Sequence, residues 1–356
     1  MKTFHQRLSH VLMAFALLAL MVGLAPRPAA AQDAVTQYAM YGLVSNIAGK
    51  AIWTDPNLQN PWGIANSSSG PFWISDQLSG LSSFYNGSGS PFGTITVPGA
   101  AGNPLGSPTG IVYNSNSSSF LVTQNGISGS AVFIFDTLDG TISGWSPGVN
   151  PSEAVVAVDN SATDAIYTGL AIATNSTGTF IFAADSWNNE VDMYDGNFNL
   201  VKHITDPTIP AGFTPFNAQT IKNYVFVTYA AVSGGPGGYV DIFDFSGNFV
   251  KRFASGDPLN QPWGVAWAPK NFGPQSGTIL IGNNVDSGTI NAFDINTGAF
   301  KSPLMDLNGK PLIINGLWAI EFGAGGTNNG PTNQLFFTAG PNDAEGFFGV
   351  IAPTTK

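Results

Sequence analysis

Short runs in which apolar and polar residues alternate, separated by turns rich in Gly, Asn, Asp and Ser, fill the chain from Gln37 to its end. One phrase punctuates them. Pro61-Trp62-Gly63-Ile64 returns almost unchanged as Pro262-Trp263-Gly264-Val265, with weaker forms at Pro108-Thr109-Gly110-Ile111, Tyr167-Thr168-Gly169-Leu170, Pro215-Phe216-Asn217-Ala218 and Leu317-Trp318-Ala319-Ile320. The third position falls at 63, 110, 169, 217, 264 and 319, at spacings of 47, 59, 48, 47 and 55 residues. Six units of about 50 residues predict a repeat architecture, and this period suits propeller blades better than helical solenoids.

Within each unit the order of events repeats. The phrase opens an apolar strand, at 63–65, 110–113, 169–173, 264–267 and 317–322. A second strand follows a polar turn, at 72–75, 120–123, 180–183, 224–228, 278–281 and 335–338. A third ends in an aromatic residue plus Asp or Asn, at 84–86, 133–136, 191–195, 240–244 and 290–294, and a Gly-containing turn leads to a fourth. Alternating, β-branched and aromatic runs of this kind are half-buried strands. The sixth unit lacks a fourth strand after 346–351, whereas the alternating run 37–45 is spare. The expectation is one all-β domain over residues 32–356, a six-bladed β-propeller of four-stranded blades closed by its N-terminal strand in the last blade. Closure removes exposed strand edges. Proline would fix the approach of each inner strand, and glycine would admit close packing near the axis.

Ahead of the repeats stand Lys2 and Arg7, an apolar run of 14 residues at 11–24, and Ala29-Ala30-Ala31. This order predicts a secretory signal peptide over residues 1–31, too short to be a spanning helix, and hence a secreted or periplasmic protein with no membrane span after cleavage. Past residue 31 nine basic residues face 22 acidic ones, which argues against nucleic acid and anionic membranes as partners. No cysteine is present, so stability rests on burial and not on disulfides.

The phrases NPWGIA, GSPTGIVYN, GTISGW, PFNAQTI, VFVTYA, GYVDIFD, RFASG, QPWGVAWAP, INAFD, GLWAIEFG and LFFTAGPND run from Asn60 to Asp343. Together they resemble an uncharacterised family of exported bacterial proteins within the NHL-like group of six-bladed β-propellers. The resemblance implies the fold and export, and it brings no established catalytic residues.

Candidate chemistry gathers where strand-one entries and second-strand exits share one face of a propeller, its central mouth. The entries carry Asn60, Asn217 and Asn315; the exits carry Asp76, Asn125, Asp185, Asn283, Asn284, Asn342 and Asp343. A ring of such oxygens could hold Ca²⁺, for which Asp76, Asn125, Asp185 and Asn284 are the candidate ligands. The same residue types also serve turns by satisfying local backbone groups. Trp62, Trp263 and Trp318 occupy matching entries and Trp187 lies in a mouth loop, so indoles could stack on a sugar or fill the space between blades.

Other signals are negative. His203 is the one histidine beyond the signal peptide and is expected at the rim, which disfavours a Ser-His-Asp mechanism and a catalytic zinc. Asp136, Asp195, Asp244 and Asp294, with the Asp139-Gly140 pair, are expected in hairpin turns. The glycine-rich stretch 233–239 lacks the Lys-Ser/Thr of a phosphate loop. The sequence therefore points to a monomeric module that binds a small molecule, a glycan or a protein at the mouth. One alternative is a Ca²⁺-dependent lactone or ester hydrolase using Asp185 or Asp76, and another is a purely architectural propeller. Converging oxygens would mark the hydrolase, a wide aromatic-lined mouth the binding module, and a plugged mouth the architectural form.

Overall fold

The computed structural model describes residues 36–355; the expected signal peptide lies outside them. Six antiparallel four-stranded sheets stand around one axis. Their innermost strands are Pro61–Asn66, Pro108–Tyr113, Tyr167–Asn175, Phe213–Ile221, Pro262–Trp267 and Leu317–Phe322. Each starts with or just before the recurring phrase.

The third position of that phrase is small because the next blade is already there. A Cβ on Gly63 would fall on the carbonyl oxygen of Thr109, one on Gly110 on the amide of Leu170, and one on Gly264 on the carbonyl of Trp318. Where Asn217 replaces glycine, its Nδ2 instead donates to the carbonyl oxygen of Trp263 in the next blade at 3.0 Å. Hydroxyls make further bridges between inner strands: Thr109 Oγ1 donates to the carbonyl of Tyr167 at 2.8 Å and Thr220 Oγ1 to that of Ile172 at 2.7 Å. Between blades the packing is aromatic, with Phe72, Tyr85, Phe135, Tyr167, Phe182, Phe243 and Phe337 fully buried. Each such side chain contributes about 1.5–3 kcal/mol of burial.

The last blade consists of Leu317–Phe322, Leu335–Ala339, Phe347–Thr355 and the N-terminal strand Thr36–Ser45. Register runs from Thr36 opposite Thr355 to Ser45 opposite Phe347, shifted once between Gly42 and Val44. The expected closure of the ring is thus present. A short strand, Trp53–Thr54, adds to it in parallel on the outer edge.

Blade two corrects the strand assignment. The run 120–123, expected as its second strand, falls mostly in the strand Leu121–Gln124, which pairs instead with Ile127–Ser130 in a separate two-stranded hairpin. The second strand is Phe133–Thr137, followed by Thr141–Trp145 and Val155–Asp159. The cause is local: Asn125 and Gly126 both have positive φ, 53° and 80°, and form the two-residue turn that closes a hairpin. The 59-residue interval, the longest in the chain, is where this insertion is accommodated. Asn125 therefore sits at the tip of an inserted hairpin and not at a second-strand exit. Asp136 moves the other way, from an expected turn to a fully buried place within the second strand. Its Oδ1 accepts hydrogen bonds from Thr109 Oγ1 and the Gly110 amide. Asp195, Asp244 and Asp294 do organise turns, each accepting backbone N–H groups two to four residues on.

Candidate functional site

The entry face is closed at the axis by aromatic side chains. The rings of Trp62 and Trp318 stack with centroids 3.6 Å apart and planes at 19°. Trp263 meets both edge-on, at 6.4 and 5.9 Å, and Phe216 lies 6.3 Å from Trp62 and 5.8 Å from Trp318. All three indoles are buried, with Phe216 and Leu138 half-buried against them. Trp318 Nε1 donates to Asn60 Oδ1 at 3.1 Å and Trp263 Nε1 to the Thr168 carbonyl at 2.9 Å, while Trp62 Nε1 has no partner among the described residues. Beneath this layer, Gly63, Gly110, Leu170, Asn217, Gly264 and Ala319 line an axial space of about 10 Å³. That is room for about one water molecule. Glu321 also lines this channel, and burial alone pushes its carboxyl up to about 7.

The polar residues expected at the mouth have mostly internal roles. Asn60 Nδ2 donates to Gln77 Oε1 at 2.9 Å, so both ends of its amide are occupied. Asp76 is fully buried and accepts from Ser83 Oγ at 2.6 Å; burial raises its pKa well above the usual range. Asn283 ties down the preceding loop, accepting from the Asn260 amide and donating to the Pro258 carbonyl. Asn284 Nδ2 donates to the Leu317 carbonyl at 3.0 Å. Asn125, Asn315 and Asn342 are exposed, Asn342 with φ of 57° in a short 3₁₀ turn.

The upper corner of blade three is different. Asp185 ends the strand Gly178–Asp185, and its Oδ1 accepts the amides of Ile166, Trp187 and Asn188 at 3.1–3.2 Å. Asn188 Nδ2 donates to Asp185 Oδ2 at 2.8 Å. A buried carboxylate thereby fixes the turn that carries Trp187, whose side chain nevertheless stands out, 65% exposed. Val232, 71% exposed, lies in the neighbouring loop of blade four. The two loops are connected through residues 212–214: Thr214 Oγ1 bonds the Ser186 carbonyl, and the Val232 amide bonds the Gly212 carbonyl.

Just below this corner, the strands Glu190–Tyr194 and Leu200–Ile204 bring three titratable groups together. His203 Nδ1 lies 2.8 Å from Asp192 Oδ1 and 2.9 Å from Glu190 Oε1. The ligand atoms of all three lie within 4.8 Å of one another, and this is such a group among the described residues. Asp192 Oδ2 accepts from Tyr167 OH at 2.7 Å and from Tyr194 OH at 3.2 Å. Asn160 Nδ2 donates to both phenol oxygens, at 2.8 and 2.7 Å. Burial would lower the His203 pKa, but the hydrogen bonds and charges of Asp192 and Glu190 outweigh it and raise it. Burial, opposed by His203 and aided by Asp192 and Asp185, raises Glu190.

No protein-family model matches the chain. An uncharacterised protein of Acanthamoeba polyphaga mimivirus, R648, is 33% identical over 330 residues, which cover 88% of this chain and 79% of the viral one. A second, L690, is 30% identical over 307 residues, covering 82% and 80%. The chain belongs to the family of these mimivirus proteins. These relatives are viral, whereas the phrases in the sequence had implied a bacterial group. Solved structures share the fold alone: a Bacteroides thetaiotaomicron protein of unknown function has a TM-score of 0.57 at 10% identity, over 90% of this chain and 76% of that one. A streptogramin B lyase has a TM-score of 0.52 at 11% identity, over 90% and 98%.

In this member of the mimivirus family, sequence reasoning passed over Glu190 and Asp192. A signal was present. Val191-Asp192 in blade three and Val240-Asp241 in blade four occupy the same place, and each aspartate is followed eleven residues later by a base, His203 or Arg252. That spacing pairs the acid with the base across the outer two strands of a blade.

Proposed function

We propose that the protein is an exported binding propeller that engages a macromolecular partner through the loop face over blades three and four, with Trp187 as its anchor. The stacked Trp62–Trp318 plug matches the closed mouth expected of an architectural propeller and leaves no axial room for a substrate or a sugar; what carries the binding reading is Trp187, exposed on the turn that Asp185 holds. Binding then falls to the loops around the plug. There Trp187 combines the two properties of an interface hot spot: a large apolar surface open to solvent, and a turn held rigid in advance by Asp185. Export rests on the order of charged, apolar and small residues over 1–31. The acidic surface favours a partner that is neutral or basic.

The test is affinity capture from extracellular material with the wild-type chain and Trp187→Ser in parallel, followed by measurement of the captured complex. A loss of about 30-fold or more in affinity, with an unchanged melting temperature, supports the reading. Equal affinity in the variant overturns it, as does saturable turnover of a lactone or ester by the wild type.

A further inference from the structure

We propose that Glu190, Asp192 and His203 form a three-ligand site for a first-row divalent transition-metal cation on the outer strands of blade three. The donor set is two carboxylate oxygens and one imidazole nitrogen. Such a mixture suits zinc, cobalt, nickel or manganese; calcium and magnesium prefer all-oxygen shells. The separations fit as well. At bond lengths of about 2.1 Å, adjacent ligands of an octahedral ion stand about 3 Å apart, and His203 Nδ1 lies 2.8 and 2.9 Å from the two oxygens.

The surroundings prepare one ligand and leave another open. Asp192 is held by Tyr167 and Tyr194, themselves held by Asn160, so Oδ1 is directed at His203. Outer hydrogen bonds of this kind orient metal ligands and maintain their affinity. His203, with its side chain 53% exposed, leaves the remaining coordination positions to water.

Blade four supplies an internal control. Its matching aspartate, Asp241, faces Arg252, whose Nε lies 2.8 Å from Asp241 Oδ1 and whose Nη2 lies 2.9 Å from Asp206 Oδ2. Two acids there share one permanent cation. In blade three two acids face an imidazole at the same place, a base that can release its proton and offer Nδ1 to a cation, as the arginine cannot. The site is independent of the Trp187 reading.

The experiment uses the full chain, purified without a histidine tag and stripped with chelator. Zn²⁺, Co²⁺ and Ca²⁺ are titrated separately by calorimetry, with visible spectroscopy of the Co²⁺ form. Expected are one Zn²⁺ or Co²⁺ per chain, cobalt d–d bands, and no calcium heat. Affinity should fall at least about tenfold in Glu190→Gln and in His203→Ala. His203→Arg, which rebuilds the blade-four arrangement and keeps the fold, should abolish binding while preserving the melting temperature. The proposal is overturned if zinc and cobalt give no saturable binding, or if binding survives in His203→Arg, which would place it elsewhere on the chain.

Discussion

Blades three and four place the same acid on the same strand and answer it with different bases. Asp192 lies opposite His203, and Asp241 lies opposite Arg252. Both aspartates are nearly or wholly buried, with side chains 4% and 0% exposed. In blade four the guanidinium reaches both Asp241 and Asp206 and lies over the Tyr239 ring, 4.8 Å from its centroid. The guanidinium itself keeps its charge between pH 5 and 9, while burial, opposed by Arg252, pushes the Asp241 carboxyl up to about 7. In blade three the acid relies on two phenols and an imidazole. A buried acid can thus be answered by a fixed charge or by phenols and a titratable imidazole, and only the second arrangement offers a nitrogen lone pair beside the acid. Glu321 marks a third case, a carboxyl in the axial channel raised by burial alone.

The largest test removes the fixed charge. Arg252→Ala leaves Asp241 and Asp206 buried without their cation and should cost about 3 kcal/mol in chemical denaturation. A cost below that of His203→Ala would erase the distinction between the blades.

Next comes the acid with no cation. Glu321 ionises ordinarily near 4.5 and is pushed up to about 7 here. Between those values the folded chain holds a proton that the unfolded chain releases, so this contribution is full below about pH 4.5 and is lost as pH rises through 7. Glu321→Gln should therefore exceed the wild type by about 2 kcal/mol at pH 8 and match it at pH 4, a figure discounted for solvent reaching the channel.

A smaller change follows in blade three. His203→Ala leaves Asp192 its two tyrosine hydroxyls, and in metal-free buffer the expected loss is about 1 kcal/mol. A loss equal to that of Arg252→Ala would show that the imidazole acts as a full counter-charge. The least effect belongs to Trp187→Ser, within about 0.5 kcal/mol in a thermal melt, because an exposed side chain on a fixed turn contributes little to folding.

Much of the fold could be read along the chain. The six phrases located the inner strands, and the spare alternating run located the closing strand, because both signals are local and periodic. Blade two was misread because its inserted hairpin has the same alternation as a blade strand; the Asn125-Gly126 turn and the long interval were the marks that separated them. The site was less legible. Asn60, Asp76 and Asp185 were placed near the face by strand order, but whether their oxygens turn toward solvent or toward amides depends on neighbours far away in sequence. Asn60 is bound to Trp318, 258 residues on.

The sequence by itself determined the number of blades, the recurring phrase that opens each inner strand and the acidic, cysteine-free character of the chain. Those follow from short-range pattern and composition. Tertiary structure alone decided that Trp62, Trp263 and Trp318 meet across the axis and close it, and that Glu190, Asp192 and His203 converge. Both depend on the angle between blades and on strand register, and register sets which side chains share a face.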